Sequence, residues 1–375
     1  MENTITNSST KTSNKRQSNL ELLRIIAMIM IVIYHICMHS NIFSEAFSIN
    51  KGIAILLGTW GTVGNTLFFS ISAYFLIESK KIDIKKLIKL EFQVLFYTIA
   101  IFIFVFITKA VNYNIKDLIK TLLPVFFNVY WFITAYFILY LFHCFLNKII
   151  YTMTIKELKI FVIMLSFLVI IYKLIWSSAP IGKLMFVIYI YMLMGLLKRK
   201  PNNFFERNAK KGFIIMTITC VGAHMIFCIV LTKLQMVQYM SYINKITSSW
   251  YYCYNGIFLF YIFKNMNIKY NKIINNIASI TTGVYLLHEN FLIGDYIRYK
   301  IVRYNTIYFI IDILVYMLLI FVITYIIEII RKNIFEKLLC KLLKKHEGKI
   351  DRINTYFLVE YEKKNNINKN EKICI

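Results

Sequence analysis

Charge and flexible residues are what this 375-residue sequence has least of. Only 17% of it is Asp, Glu, Lys or Arg, where a soluble domain carries about 25%. Three prolines and 12 glycines exclude a collagen-like, linker-rich or disordered chain. The 7 cysteines are odd in number, none has C-x-x-C spacing, and most sit inside apolar runs. A disulfide framework or a zinc site is therefore not expected. What stands in place of these is apolar: 58% hydrophobic residues and a mean hydropathy of +0.60. The chain reads as an integral membrane protein. Its net charge of +25 would suggest nucleic acid in a soluble protein. Here the cations sit at the ends of apolar runs, with no soluble basic domain to present them, so nucleic acid is not an expected partner.

A spanning helix needs about 20 mostly apolar residues. Ten runs qualify: 20–39, 53–77, 90–109, 125–146, 158–176, 181–197, 212–232, 247–263, 274–294 and 306–330. The fold class is then all-α, a polytopic transmembrane helical bundle of about ten spans. Of these, 181–197 is short and 274–294 is interrupted by polar residues. Residues 115–123 read as interfacial. With residue 1 inside, the inner segments carry 26 Lys and Arg and the outer ones 11. That asymmetry predicts a multi-pass membrane protein with both termini cytoplasmic, and a bacterial cell (plasma) membrane is its expected location. Residues 1–18 form a polar tail, 19–331 the membrane domain, and 332–375 a basic tail. Within that tail, 334–346 can form an amphipathic helix on the inner leaflet. Membrane lipids are expected partners.

Ionisable residues inside spans are costly and are therefore candidates for function. Arg24 and His35 stand out. Eleven helical steps separate them, just over three turns, so they share a face roughly 16 Å apart. Snorkelling would account for Arg24 alone, and a bond to a neighbouring helix for His35 alone. Together they place a permanent cation near one membrane face and a titratable base deeper in. Glu21 lies three residues before Arg24 and can pair with it. His39 reads as reaching the outer interface.

This R-x10-H arrangement, opened by ELLR, resembles the first signature of the acyltransferase-3 family of membrane O-acyltransferases. Further segments resemble that family in order: FFSISAYFL at 68–76, with Ala73 where the family has glycine, YWFITAYFILYL at 130–141, and GVYLLH at 283–288. The likeness covers about residues 18–330. It implies transfer of an acyl group, commonly acetyl, from cytoplasmic acyl-CoA to a hydroxyl of a cell-surface polysaccharide, other glycan or lipid-linked glycan. Acetyl-CoA or another acyl-CoA is then the donor, and no metal is expected.

The residues suit such chemistry. Histidine titrates close to neutral pH, so His35 is the candidate base, or else a covalent acyl carrier. Arg24 could bind CoA phosphate through paired charge-assisted bonds. His288 and Glu289 open an HEN triplet in which Glu289 could orient a base, although a polar helix cap reads equally. Residue 292 is Leu, so this is not H-E-x-x-H. Tyr136 and Tyr285 could donate to an oxyanion or pack in the core. Tyr130 and Trp131 could bind substrate, and an aromatic belt would explain Trp131 as well. Ser70 and Ser72 suit helix packing, Asn65, Glu91 and Gln93 could line the same cavity, and His143 and His224 read as packing or interfacial. Asp312 is placed to pair with Arg298 or Arg303. The competing functions are a transporter or flippase of a lipid-linked or amphipathic substrate, and a membrane acyltransferase of a different fold.

Overall fold

The computed structural model describes residues 16–38, 48–175, 180–234, 236, 251–304, 306–356 and 358. Among them there is no strand. The helices are α1 (Ser18–Met38), α2 (Ile49–Gly58), α3 (Gly61–Leu76), α4 (Ile84–Thr108), α5 (Ile115–Leu122), α6 (Trp131–Thr152), α7 (Ile155–Ile175), α8 (Pro180–Arg199), α9 (Phe204–Arg207), α10 (Ala209–Lys233), α11 (Tyr251–Lys264), α12 (Lys272–Ala278), α13 (Thr281–His288), α14 (Gly294–Ile301), α15 (Phe309–Ile330), α16 (Lys337–Lys345) and α17 (Glu347–Tyr356). A π-helical turn, Arg331–Glu336, joins α15 to α16. Seven stretches among the described residues are long and apolar enough to cross a membrane, fewer than the ten expected. His39 lies outside the described residues.

The expected span 53–77 is one of the seven, as Ile49–Leu76, with a break at Thr59–Trp60 between α2 and α3. The expected span 274–294 is not one helix. It is α12 and α13, separated at Ser279–Ile280, followed by Glu289 and Asn290. Each is too short to cross a bilayer. Irregular backbone at such depth persists only where protein groups satisfy it, and here they do: Asn290 Oδ1 accepts from the Leu292 amide, while Tyr130 donates to the Leu286 carbonyl. The N-terminal half of the expected span 247–263 lies outside the described residues, and α11 begins at Tyr251.

Sequence pattern decides which helices lie inside. In α3 the buried positions run nearly round the helix, from Gly61 and Val63 to Ile71 and Ala73, which marks a central helix. In α15 only a stripe is buried: Phe309, Asp312, Ile313, Tyr316, Ile320, Thr324 and Glu328. Leu314 and Leu318 on the opposite face are exposed, as befits contact with lipid tails. The main contact is between α1 and α3. It is close because Gly64 lacks a side chain: a Cβ there would lie 2.7 Å from the Ala27 carbonyl oxygen and 2.8 Å from Ile31. Small residues permit this approach between membrane helices. Asn19 on α1 also donates to the last carbonyls of α11, at Phe263 and Lys264. Helix α13 packs on α15, α1 and α4, so the broken segment ends in the middle of the bundle.

Candidate active site

Helix α1 carries the first half of the site as one straight face. Arg24, Met28 and Ile31 line a cavity of about 370 Å³, and His35 stands one turn beyond Ile31. Helix α13 forms the facing wall with Thr281, Thr282 and Tyr285, and His288 stands one turn beyond Tyr285. The two histidines meet above the cavity: His35 Nδ1 is 3.0 Å from His288 Nε2. His288 is fully buried and His35 is 9% exposed.

The hydrogen bonds assign the ring protons. His288 Nδ1 lies 2.7 Å from the Val284 carbonyl. A carbonyl only accepts, so Nδ1 carries hydrogen and a neutral His288 presents a lone pair at Nε2. His35 Nδ1 must then donate to it. A neutral His35 in this tautomer holds its lone pair on Nε2, the nitrogen pointing away from His288. Glu289 Oε1 is 3.3 Å from the same Nδ1 and can stabilise the imidazolium formed when Nε2 takes a proton. Glu289 is itself fixed by Arg298, which is 3% exposed and donates to Glu289 Oε1 at 3.0 Å, to the His288 carbonyl at 2.7 Å and to Asp295 at 2.6 Å. A base, an orienting partner and a charge behind them form the arrangement used by hydrolytic triads. The ligand atoms of His35, His288 and Glu289 lie within 4.8 Å of one another, close enough to hold a metal ion. Arg298 already sets a cation against that carboxylate.

The cavity has a polar end and an apolar end. Arg16, Arg24, Lys86, Lys89 and Arg331 line it, with Glu336 as the single carboxylate among the described lining residues. Towards the histidines the walls become Ile31, Phe68, Phe132 and Tyr285. Phe132 packs against Phe69 and Tyr285 at centroid distances of 4.5 and 5.6 Å.

Among the residues named from sequence, Arg24, Tyr136 and Tyr285 line the cavity, and so do Ser72 and Gln93. His35, His288 and Glu289 form the cluster above it. Arg24 pairs with Glu21 at 2.8 Å, as expected. Tyr130 is buried and braces the chain after α13, bonding Leu286 and receiving Asn290. Trp131 is not among the residues lining the cavity; Lys183 lies 5.0 Å from its ring. Asp312 pairs with Arg303 at 2.8 Å, while Arg298 serves Glu289. His143 bonds the Tyr140 carbonyl and His224 the Tyr252 hydroxyl; from sequence both read as packing or interfacial. Sequence reasoning missed Arg298 as the partner of Glu289. It also missed the cavity-lining set Arg16, Lys86, Lys89 and Arg331, whose charges read as membrane topology. Glu328 was missed too; its signal was an ionisable residue in the apolar run 309–330, on the same stripe as Tyr316, Ile320 and Thr324.

A family model described as an acyltransferase domain matches residues 17–329. No curated protein and no solved structure matches the chain. The match covers most of the sequence and includes every residue of the histidine cluster, and the chain belongs to the acyltransferase-3 family of membrane acyltransferases.

Proposed function

We propose that the protein transfers an acyl group, most simply acetyl, from acyl-CoA to a hydroxyl of a cell-surface glycan, with His35 as general base. The observation that carries this reading is the cation-lined cavity that runs along α1 and α13 and ends one turn short of the His35–His288 pair. A nucleotide thioester has the same polarity, a multiply charged phosphate end and a neutral acyl end. With the basic end of the bundle cytoplasmic, Arg24 and its neighbours meet the phosphates and the thioester extends towards His35.

The chemistry balances without a further reactant. His35 Nε2 takes the proton from the acceptor hydroxyl as its oxygen attacks the thioester carbonyl. The tetrahedral adduct collapses, the C–S bond breaks, and the thiolate recovers the proton from the His35 imidazolium. Glu289, held by Arg298, stabilises that imidazolium, and His288 keeps the ring in the productive tautomer. Tyr285, beside the apolar end, is placed to donate to the oxyanion. The acceptor approaches from the opposite membrane face.

The test is acyl incorporation into the surface polymer, by mass spectrometry, in cells carrying wild type or His35→Ala at equal protein level. The variant should lose incorporation, and full retention would sink the base assignment. The broken segment α12–α13 also suits a translocation path. Incubating purified protein with acyl-CoA and following thiol release separates the two readings, because a transporter leaves the thioester intact.

A further inference from the structure

The family match stops at residue 329, yet the cavity wall continues to Arg331 and Glu336. These two residues bound the π-helical turn between α15 and α16. In a π-turn the hydrogen-bonded ring closes from i to i+5, which places the first and sixth residues over one another. Arg331 accordingly reaches Glu336 at 3.1 Å.

The two carboxylates on Arg331 are held very differently. Glu328 is 1% exposed and takes the guanidinium in a two-pronged contact, at 3.0 and 2.9 Å. It also accepts from Gln93 at 2.9 Å and from Tyr97 at 3.1 Å. Glu328 is thus a fixed support behind Arg331, outside the lining of the cavity. The Glu336 side chain is 30% exposed and stands among cations. Its place on Arg331 is one that another anion can take without leaving a buried charge unpaired.

Resting on the donor reading above, we propose that Arg331 binds a phosphate of the acyl-donor nucleotide and that Glu336 holds its place until the donor arrives. Donor binding then exchanges one anion for another on a pre-oriented guanidinium, and thioesters lacking phosphate gain nothing from it. The residues that do this lie just past the family match, at the end of α15 and in the π-helical turn that follows it.

The experiment is calorimetric titration of CoA into the purified full-length protein in phosphatidylcholine nanodiscs. Glu336→Gln should bind CoA several-fold more tightly than wild type, because the competing carboxylate is gone. Arg331→Gln should bind it roughly tenfold more weakly, the scale of one charge-assisted hydrogen bond. Pantetheine, which has no phosphate, should bind all three proteins alike. A purely structural ion pair predicts unchanged or weaker CoA binding in Glu336→Gln, and that result overturns the proposal even if Arg331→Gln does not fold. Adding phosphatidylglycerol to the discs tests the other source of phosphate, lipid headgroups. If it abolishes the difference between wild type and Glu336→Gln, the arginine serves lipid and the proposal falls. Failure of wild type to bind CoA at all would instead remove the donor reading on which the proposal rests.

Discussion

His35 Nδ1 meets a ring nitrogen 253 positions away in sequence. Because His288 is locked by the Val284 carbonyl, its effect on His35 is to choose a tautomer, and removing it should slow chemistry rather than donor binding. His288→Ala is expected to lower kcat roughly 10²-fold with the donor KM little changed, the lower end of general-base contributions. Steady-state kinetics check this, and an equal rise in KM would assign His288 to binding instead. Arg298 is a second residue-scale case. Arg298→Gln leaves Glu289 half-buried without its guanidinium, a loss of about 3–5 kcal/mol for a broken buried pair, to be read as a lower melting temperature in detergent. A chelator should leave transfer unchanged, since Arg298 already neutralises Glu289; activity lost to EDTA and restored by zinc would make the histidine cluster a metal centre. Arg24 and His35 were legible in the sequence because both lie on one continuous helix, where spacing alone fixes the face. The meeting of His35 with His288, and of Glu289 with Arg298, was not legible. Those contacts depend on where the chain breaks after α13 and on how α1 and α13 pack.

At the scale of elements, the break is what turns an apolar run into part of a site. A continuous helix over 274–294 would carry Glu289 and Asn290 onward within the span; ending α13 at His288 instead turns Glu289 towards His35 and lets Arg298 fold back under it. Run length and apolarity located the apolar runs and most of their ends. They could not place this break, because the groups that satisfy the freed backbone, Tyr130 among them, come from distant helices. The α1–α3 contact is equally specific. Gly64→Val would force its branches against Ala27 and Ile31 and push α1 away from α3, with a cost of about 1–3 kcal/mol for overpacking. Both the melting temperature and acyl transfer should fall, since α1 positions His35; a variant as stable and active as wild type would show that the contact is not close in the membrane.

The whole molecule adds a feature beyond the family domain. Helix α17 docks on the start of α4, where Lys85 meets Glu347 at 2.6 Å and Asp351 at 3.5 Å, and the Asn354 side chain accepts from the Ile84 amide. The expected tail is therefore in part a packed element beside Lys86 and Lys89. The hydrogen bond and charge of Lys85 hold the Glu347 carboxyl below its ordinary value near 4.5. A lowered carboxyl contributes to docking above the ordinary value and loses that contribution as pH falls through the folded one. Amide exchange in residues 347–356 should consequently rise as the pH is taken below about 4.5, and an exchange rate flat in pH, after correction for intrinsic chemistry, would show that the pair does not hold the helix.

The apolar end of the cavity has a consequence of another kind. Ile31, Phe68, Phe132 and Tyr285 stand between the charged end of the bundle and the histidine pair. Under the proposed reaction they act as a septum: a slender acyl arm threads between aromatic rings, whereas a hydrated ion would have to shed its water to follow. The proposed transfer would then carry a reactive group past the rings without opening a path for ions.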